Sequence, residues 1–124
     1  MTKRGLLIVS HSHNIAKGLY QLLREVGPDI ALTYAGGTDH ENGIGTDYEE
    51  ILKAITSNAA DKLYALYDLG SAKMKIEMAI EASGKAVTIY DTSFIESAFV
   101  VASLLQVDAD DAIIEENIAP LKVK

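Results

Sequence analysis

A histidine and an aspartate in this sequence each follow a short apolar segment. His11 comes after the run Leu6–Val9 and one serine, and Asp68 comes directly after Leu63–Tyr67. A carboxylate that accepts a hydrogen bond from one imidazole nitrogen fixes the tautomer of the ring and leaves the lone pair of the other nitrogen free to attack. His11 is therefore a candidate nucleophile, and Asp68 is a candidate for the group that orients it.

The residues after Asp68 have the composition of an anion-binding turn. Gly70 and Ser71 lead into a helical pattern, and the first turn of a helix presents free N–H groups to an anion. A glycine there lets the anion approach the backbone closely. A nucleophilic nitrogen, an orienting carboxylate and an anion cradle together indicate phosphoryl transfer through a phosphohistidine.

A purely structural interpretation of the same residues stays open. A histidine after a strand often only bonds a loop or a cap, and an aspartate before a Gly-Ser turn is a common N-cap. The motif Gly43-Ile44-Gly45 and the pair Gly36-Gly37 have the spacing of neither a P-loop nor a dinucleotide fingerprint. The loop 36–45 is nevertheless long for an α/β connection and is a candidate functional segment.

Short apolar runs alternate with longer helical patterns along the chain. This order predicts an α/β fold, a doubly wound three-layer α/β/α arrangement with a mainly parallel sheet. Right-handed crossovers favour the strand order 2-1-3-4. The crevice of such a sheet opens at the carboxyl ends of strands 1 and 3, where His11 and Asp68 lie. The predicted strands are Leu6–Val9, Ile30–Ala35, Leu63–Tyr67 and Ala86–Tyr90.

Local signals predict where the helices begin and end. Gly27 is placed to end the first helix as a C′ glycine, and Thr46–Glu49 and Ser93–Glu96 have the spacing of capping boxes. The helix Phe94–Leu105 is apolar nearly all round, so it is either covered on both sides within the monomer or packed on a partner chain. The apolar face of the first helix is predicted to contain Ile15, Leu19, Leu22, Leu23 and Val26.

Length and composition exclude several classes of protein. The 124 residues predict one domain, spanning 1–124. The chain has no cysteines, which excludes a disulfide framework. Its net charge is −7, which disfavours nucleic acid and anionic membranes as partners. The apolar run Ala98–Leu105 is far shorter than a membrane span, and the start of the chain lacks a signal-peptide pattern. We expect a cytoplasmic protein.

Three motifs in this chain resemble those of a known family. Leu7–Ser12, Gly45–Asp47 and Asp68–Ala72 are similar to the motifs of the phosphotransfer subunits of dihydroxyacetone kinase. These subunits belong to the mannose-type IIA family of the phosphoenolpyruvate-dependent phosphotransferase system. The resemblance implies that His11 is the phosphorylated histidine and that Asp68 orients it.

The resemblance also implies a function and partners. The donor would be a histidine-containing phosphocarrier protein, and the acceptor would be ADP held by a kinase subunit, where the resulting ATP phosphorylates dihydroxyacetone on a further subunit. It implies a homodimer, and it implies neither a resident cofactor nor a metal. We expect Gly70 and Ser71 to contact the phosphate, and Thr46 to be either a further phosphate contact or an ordinary N-cap.

Other functions are weighed against this one. Sugar-permease members of the mannose-type family carry Gly-Gly-Ser-Pro after the third strand, whereas this chain has Gly70-Ser71-Ala72-Lys73, which favours the dihydroxyacetone branch. A zinc site would combine His11 and His13 with Asp39 and His40, without a recognisable third-ligand spacing. A flavin-binding module would need a hydroxyl-rich loop after strand 1, and a receiver domain would need a pair of acidic residues there. This chain has neither.

Overall fold

The computed structural model describes residues 3–38 and 43–124. Strands and helices alternate through most of this range, as the periodicity predicts. The strands are β1 (Arg4–Ser10), β2 (Ala31–Gly36), β3 (Lys62–Tyr67) and β4 (Ala86–Ile89). The helices are α1 (His13–Val26), α2 (Tyr48–Thr56), α3 (Lys73–Ser83), α4 (Phe94–Gln106) and α5 (Asp111–Ile118), with short 3₁₀ turns at Gly70–Ala72 and Ala119–Leu121.

The strands form one sheet with the order β2-β1-β3-β4. Every strand pair is parallel, and β1 pairs with both β2 and β3. The predicted order 2-1-3-4 is therefore confirmed, and β1 lies next to β3 although a helix, a strand and a second helix separate them in the chain. In this arrangement the carboxyl ends of β1 and β3 lie side by side.

Side chains alternate between the two faces of the sheet, and each face is covered by its own helices. Leu6 and Ile8 pack with α1, α4 and α5 on one face. Leu7 and Val9 pack with α2 and α3 on the other. A strand buried on both faces needs a continuous apolar run, and this requirement explains the sequence of β1. The result is the predicted three-layer α/β/α fold.

Two predictions of helix starts are wrong, and the end of α1 differs in one detail. Gly27 ends α1 as predicted, but it has φ −132° and lacks the left-handed conformation typical of a C′ glycine. Glycine fits there because a Cβ would come within 3.1 Å of the carbonyl oxygen of Ala102. The N-cap of α2 is Asp47, whose side chain accepts from the N–H of Glu49, so Thr46 is not the cap. The hydroxyl of Ser93 makes no capping bond at α4.

The predicted apolar face of α1 is only partly buried. Leu19 and Leu23 lie in the core, but Ile15 and Leu22 are about half-exposed. Ala16 is buried instead, because the face of α1 that contacts the core is centred closer to Ala16 than the sequence pattern predicts. An apolar patch therefore remains on the outer surface of α1.

Candidate active site

Strand pairing brings the candidate nucleophile and its carboxylate together. In the register of β1 with β3, Val9 lies opposite Tyr67. The ladder continues for one step beyond β3, where the N–H of Asp68 donates to the carbonyl oxygen of Val9 at 3.2 Å. His11 and Asp68, which are 57 residues apart in the sequence, consequently meet at the carboxyl end of the sheet.

The Asp68 carboxylate holds His11 through both the ring and the main chain. Its Oδ1 lies 2.9 Å from Nδ1 of His11, and its Oδ2 accepts from the main-chain N–H of His11 at 2.9 Å. The hydroxyl of Ser10 donates to Oδ2 at 2.7 Å, and the N–H of Leu69 donates to Oδ1 at 2.7 Å. The carboxylate thus receives four hydrogen bonds and is fixed in orientation.

These bonds keep Asp68 ionised. Burial of the carboxyl group by itself opposes ionisation, but the hydrogen bonds from His11, Ser10 and Leu69 outweigh it. The pKa of Asp68 therefore lies below its ordinary value of 3.8. An ionised carboxylate can only accept hydrogen bonds, so the ring of neutral His11 carries its proton on Nδ1.

The other ring nitrogen faces a hydroxyl at a helix start. Nε2 of His11 lies 2.6 Å from Oγ of Ser71. With the proton on Nδ1, Nε2 has a free lone pair and accepts from the Ser71 hydroxyl. The imidazole of His11 is thereby oriented at both nitrogens, with Nε2 directed toward the turn that precedes α3.

The turn in front of Nε2 is open to solvent. Gly70 and Ser71 are exposed, and a Cβ built on Gly70 would meet no atom within 4 Å. Packing does not require a glycine at this position, and the space before its backbone is unfilled. Because the 3₁₀ turn begins at Gly70, its first N–H groups have no acceptor within the helix.

The loop after β2 supports the backbone of His11 from the other side. The N–H of Gly45, a residue with φ +138°, donates to the carbonyl oxygen of His11 at 2.8 Å. Thr46 follows it and is nearly buried, and its carbonyl oxygen accepts from Nζ of Lys75 at 2.6 Å. The structure thus places Thr46 one residue from a contact with His11, joined to α3.

The structure separates His13 from the His11–Asp68 pair. His13 is the exposed first residue of α1, and its ring centroid lies 6.1 Å from that of Tyr34 in β2. Since β2 and β3 flank β1 on opposite sides, His13 lies toward the other edge of the sheet. Asp39 and His40 lie outside the described residues. Within residues 3–38 and 43–124 no group of three His, Cys, Asp or Glu side chains could hold a metal ion.

Sequence reasoning missed two residues of this site. Ser10 is fully buried and its hydroxyl bonds the Asp68 carboxylate; its place at the end of an apolar strand, next to the candidate nucleophile, was the available signal. Lys124 donates to the main-chain carbonyl oxygen of Asp68 at 3.3 Å. Lys124 and Asp68 are 56 positions apart in the sequence, so only the folded chain shows that they are in contact.

Comparison with known proteins places this chain in a family. The family model described as the PTS system fructose IIA component matches residues 5–115, a range that includes both His11 and Asp68. The chain belongs to this family. The resemblance stated from the three sequence motifs is confirmed at the level of the family.

Similar proteins include phosphoryl donor subunits of dihydroxyacetone kinase. The DhaM subunit of kinase 1 from Listeria innocua is 40% identical over 120 residues, which cover 97% of this chain and 96% of that protein. The phosphotransferase subunit DhaM from Lactococcus lactis is 40% identical and is matched over 97% of each chain. The Escherichia coli DhaM is 40% identical over 82 residues, which are 17% of its length.

Solved structures confirm the fold. A crystal structure of a protein of unknown function superimposes with a TM-score of 0.81, at 25% identity, over 98% of this chain and 97% of that one. A sigma-54 interaction domain protein from Enterococcus faecalis gives a TM-score of 0.67 at 12% identity, over 94% and 87% of the two chains. The second likeness concerns the fold alone.

Proposed function

We propose that this chain is a phosphoryl carrier of the cytoplasm, the phosphoryl donor subunit of a dihydroxyacetone kinase. His11 accepts a phosphoryl group from a histidine-containing phosphocarrier protein and passes it to ADP bound on the kinase partner. The observation that carries this proposal is the bond between Nδ1 of His11 and Asp68, which leaves Nε2 as a nucleophile at an open helix start. The names of the similar DhaM proteins support the choice of kinase.

In the first step the lone pair of Nε2 attacks the phosphorus of the donor. The new N–P bond forms as the N–P bond of the donor breaks, and the electron pair of that bond returns to the donor's ring nitrogen. Nδ1 keeps its proton, and the negative charge of Asp68 stabilises the positive charge that develops on the ring. This chain has phosphotransferase activity only as one component of a relay.

The second step reverses the roles. An oxygen of the β-phosphate of ADP attacks the phosphorus on His11, and the electron pair of the N–P bond returns to Nε2. ATP forms on the kinase partner, where it phosphorylates dihydroxyacetone held by a further subunit. Each step exchanges one bond to phosphorus for another, so the chain needs no cofactor of its own.

The phosphoryl group on Nε2 would occupy the position that the Ser71 hydroxyl now faces. The Ser71 hydroxyl and the N–H groups of the turn that starts at Gly70 are the proposed donors to its oxygens. Thr46 is the proposed further contact from the opposite loop. Asp47, rather than Thr46, caps α2, which leaves the hydroxyl of Thr46 without a capping role.

The proposal is tested by reconstituting the relay. The purified chain is incubated with labelled phosphoenolpyruvate and the general phosphotransferase proteins, and a dihydroxyacetone kinase partner loaded with ADP is then added. We expect label on the chain, followed by label on dihydroxyacetone. A chain that is labelled but transfers only to a mannose-type permease component would instead be a IIA subunit of a sugar transporter. A chain that never accepts label would refute the proposal.

A substitution of the second histidine distinguishes the carrier from a paired-histidine or zinc site. His13→Gln is expected to keep phosphoryl acceptance within about threefold of the unmodified chain, because the ring of His13 lies beside Tyr34 and not beside Asp68. The measurement is the single-turnover rate of labelling. A loss as large as that of a His11 variant would show that both histidines take part in the chemistry.

We further propose that the chain is a homodimer. Leu22 on α1 and Ile95 and Phe99 on α4 line one apolar groove, and each of them is about half-exposed. The core side of α4 is covered by its own chain, where Ala98, Val101 and Ala102 are fully buried. A second copy seated on the groove would remove its apolar side chains from water.

The dimer is tested by a charge in the groove. Unmodified protein is expected to have twice the chain mass of 13.4 kDa in light scattering, and Phe99→Glu is expected to shift it to the monomer. Met78→Glu is the matched control, because Met78 is a half-exposed apolar residue on α3, on the opposite face of the sheet. A monomeric unmodified chain, or equal effects of the two variants, would contradict this interface.

A further inference from the structure

The side chain of Lys124 joins the ends of two strands beside the candidate active site. Its Nζ donates to the main-chain carbonyl oxygens of Tyr67 at 2.7 Å, Thr92 at 3.1 Å and Asp68 at 3.3 Å. An ammonium group has three N–H donors, so its donors match these three acceptors in number. Nζ also lies 4.4 Å from the centroid of the Tyr67 ring, within range of a cation–π interaction.

The segment that carries Lys124 is itself held by main-chain bonds. Thr92 and Lys122 form an antiparallel bridge. The N–H of Val123 donates to the carbonyl oxygen of Asp91 at 3.2 Å, and the N–H of Ser93 donates to that of Leu121 at 2.9 Å. The ammonium of Lys124 is therefore delivered to the strand ends by a fixed backbone.

The local environment strengthens the bonds of this ammonium. Burial lowers the pKa of Lys124, and the charges of Asp68 and Asp91 oppose that effect. A hydrogen bond in partly desolvated surroundings is electrostatically stronger than the same bond in water. The bonds to Tyr67 and Thr92 are partly buried, whereas the bond to Asp68 is exposed. The two partly buried bonds hold Nζ beside the carbonyl oxygen of Asp68.

One peptide unit connects Lys124 with the His11–Asp68 pair. The carbonyl of the peptide between Asp68 and Leu69 accepts from Lys124, and the N–H of the same peptide donates to Oδ1 of Asp68 at 2.7 Å. A trans peptide is planar, so fixing its carbonyl also fixes its N–H. Oδ1 is the same oxygen that bonds Nδ1 of His11.

We infer that Lys124 is a positioning residue for phosphoryl transfer, which locks the peptide between Asp68 and Leu69 and thereby holds the Asp68 carboxylate against His11. This inference rests on the proposed function of His11. Lys124 acts through the backbone of Asp68 and contacts neither the imidazole nor the reacting nitrogen in this structure. Its removal should consequently change the tautomer of His11 and the transfer rate together.

The first test reads the imidazole directly and needs no phosphorylation. The ¹⁵N chemical shifts of His11 in the neutral ring report which nitrogen carries the proton. We expect one tautomer, with the proton on Nδ1, in the unmodified chain and a mixture of both in Lys124→Met. Lys122→Met is the matched control, since Lys122 is exposed on the same segment and its side chain makes no hydrogen bond within the described residues. An unchanged tautomer in Lys124→Met would overturn the inference.

The second test is a double-mutant cycle on the rate of phosphoryl acceptance. Lys124→Met should slow the unmodified chain about tenfold, through misplacement of the oriented pair. In an Asp68→Asn background the same change should cost less than about twofold, because the carboxylate it positions is gone. Equal factors in both backgrounds would overturn the inference by showing that Lys124 acts independently of Asp68.

A milder variant guards against a loss of folding. Lys124→Gln keeps two N–H donors but loses the charge. We expect it to change the tautomer of His11 and the transfer rate in the same direction as Lys124→Met, but by less. Unmodified values for a folded Gln variant would count against the positioning role. If the unmodified chain accepts no phosphate, the proposed function fails, while the ¹⁵N measurement still decides whether Lys124 controls the His11–Asp68 pair.

Discussion

His11→Ala is expected to abolish phosphoryl acceptance while leaving the fold intact. Nε2 of His11 is the nucleophile in the proposed relay, and no other histidine contacts Asp68 within the described residues. The side chain of His11 lies at the surface end of the sheet and outside both core clusters, so its removal leaves the packing in place. Labelling by phosphoenolpyruvate and the general phosphotransferase proteins measures the loss, and a thermal melt verifies the fold.

The chemistry of the label provides an independent check on the same variant. A phosphoryl group on an imidazole nitrogen is a phosphoramidate, which is labile in acid and stable in alkali. We expect this behaviour for the unmodified chain and for His13→Gln, which is the matched control for the loss of a histidine. Label that survives acid, or label on His11→Ala, would assign the phosphoryl group to another residue.

The architecture follows from patterns that need only short stretches of sequence. Buried parallel strands require continuous apolar runs, and Leu6–Val9 and Leu63–Tyr67 both have this property. Once the order 2-1-3-4 is inferred from crossover handedness, the adjacency of His11 and Asp68 follows as well, because the two residues come after neighbouring strands of the sheet. The central pair was therefore predictable.

The features that sequence analysis missed depend on competition or on distant contacts. Thr46 and Asp47 are both residue types that cap helices, and the folded chain uses Asp47 for α2. The buried stripe of α1 includes Ala16 in place of Ile15 because the rotation of the helix is set by its packing on α4 and the sheet. Lys124 reaches the candidate site because Lys122, two residues before it, forms a bridge with Thr92, and no local pattern encodes that bridge.

Asp68→Asn is expected to slow phosphoryl acceptance by roughly 10²-fold to 10⁴-fold, the range that changes to such histidine–carboxylate pairs cost. Each carboxylate oxygen of Asp68 receives two hydrogen bonds, so an amide nitrogen in either position faces donors. If it faces Nδ1 of His11, the ring must accept there and carry its proton on Nε2, which removes the nucleophilic lone pair. In the other orientation the amide lacks the charge that stabilises the imidazolium.

The same variant should also lose stability, and the pH dependence of this loss has a defined sign. The hydrogen bonds lower the pKa of Asp68 in the folded chain below its ordinary value of 3.8. Its ionised form therefore stabilises the fold above that ordinary value, and the contribution disappears as the pH falls through the lowered folded pKa. The difference in free energy of unfolding between the unmodified chain and Asp68→Asn should be about 1–3 kcal/mol near neutral pH and should shrink in acid.

Ser10→Ala separates the loss of rate from the loss of stability. This variant removes one donor to Oδ2 of Asp68 and the acceptor of the N–H of Ser12, but it leaves the bond from Nδ1 of His11 to Oδ1. It should lower the melting temperature in the same direction as Asp68→Asn, yet slow phosphoryl acceptance by less than about tenfold, because the tautomer of His11 is kept. Single-turnover rates of the two variants, measured at a temperature where both are folded, give the comparison. An Asp68→Asn rate equal to that of the unmodified chain would contradict the orienting role of Asp68. Equal losses of rate in Asp68→Asn and Ser10→Ala would show that the rate depends on the intact hydrogen-bond network and not on the tautomer of His11.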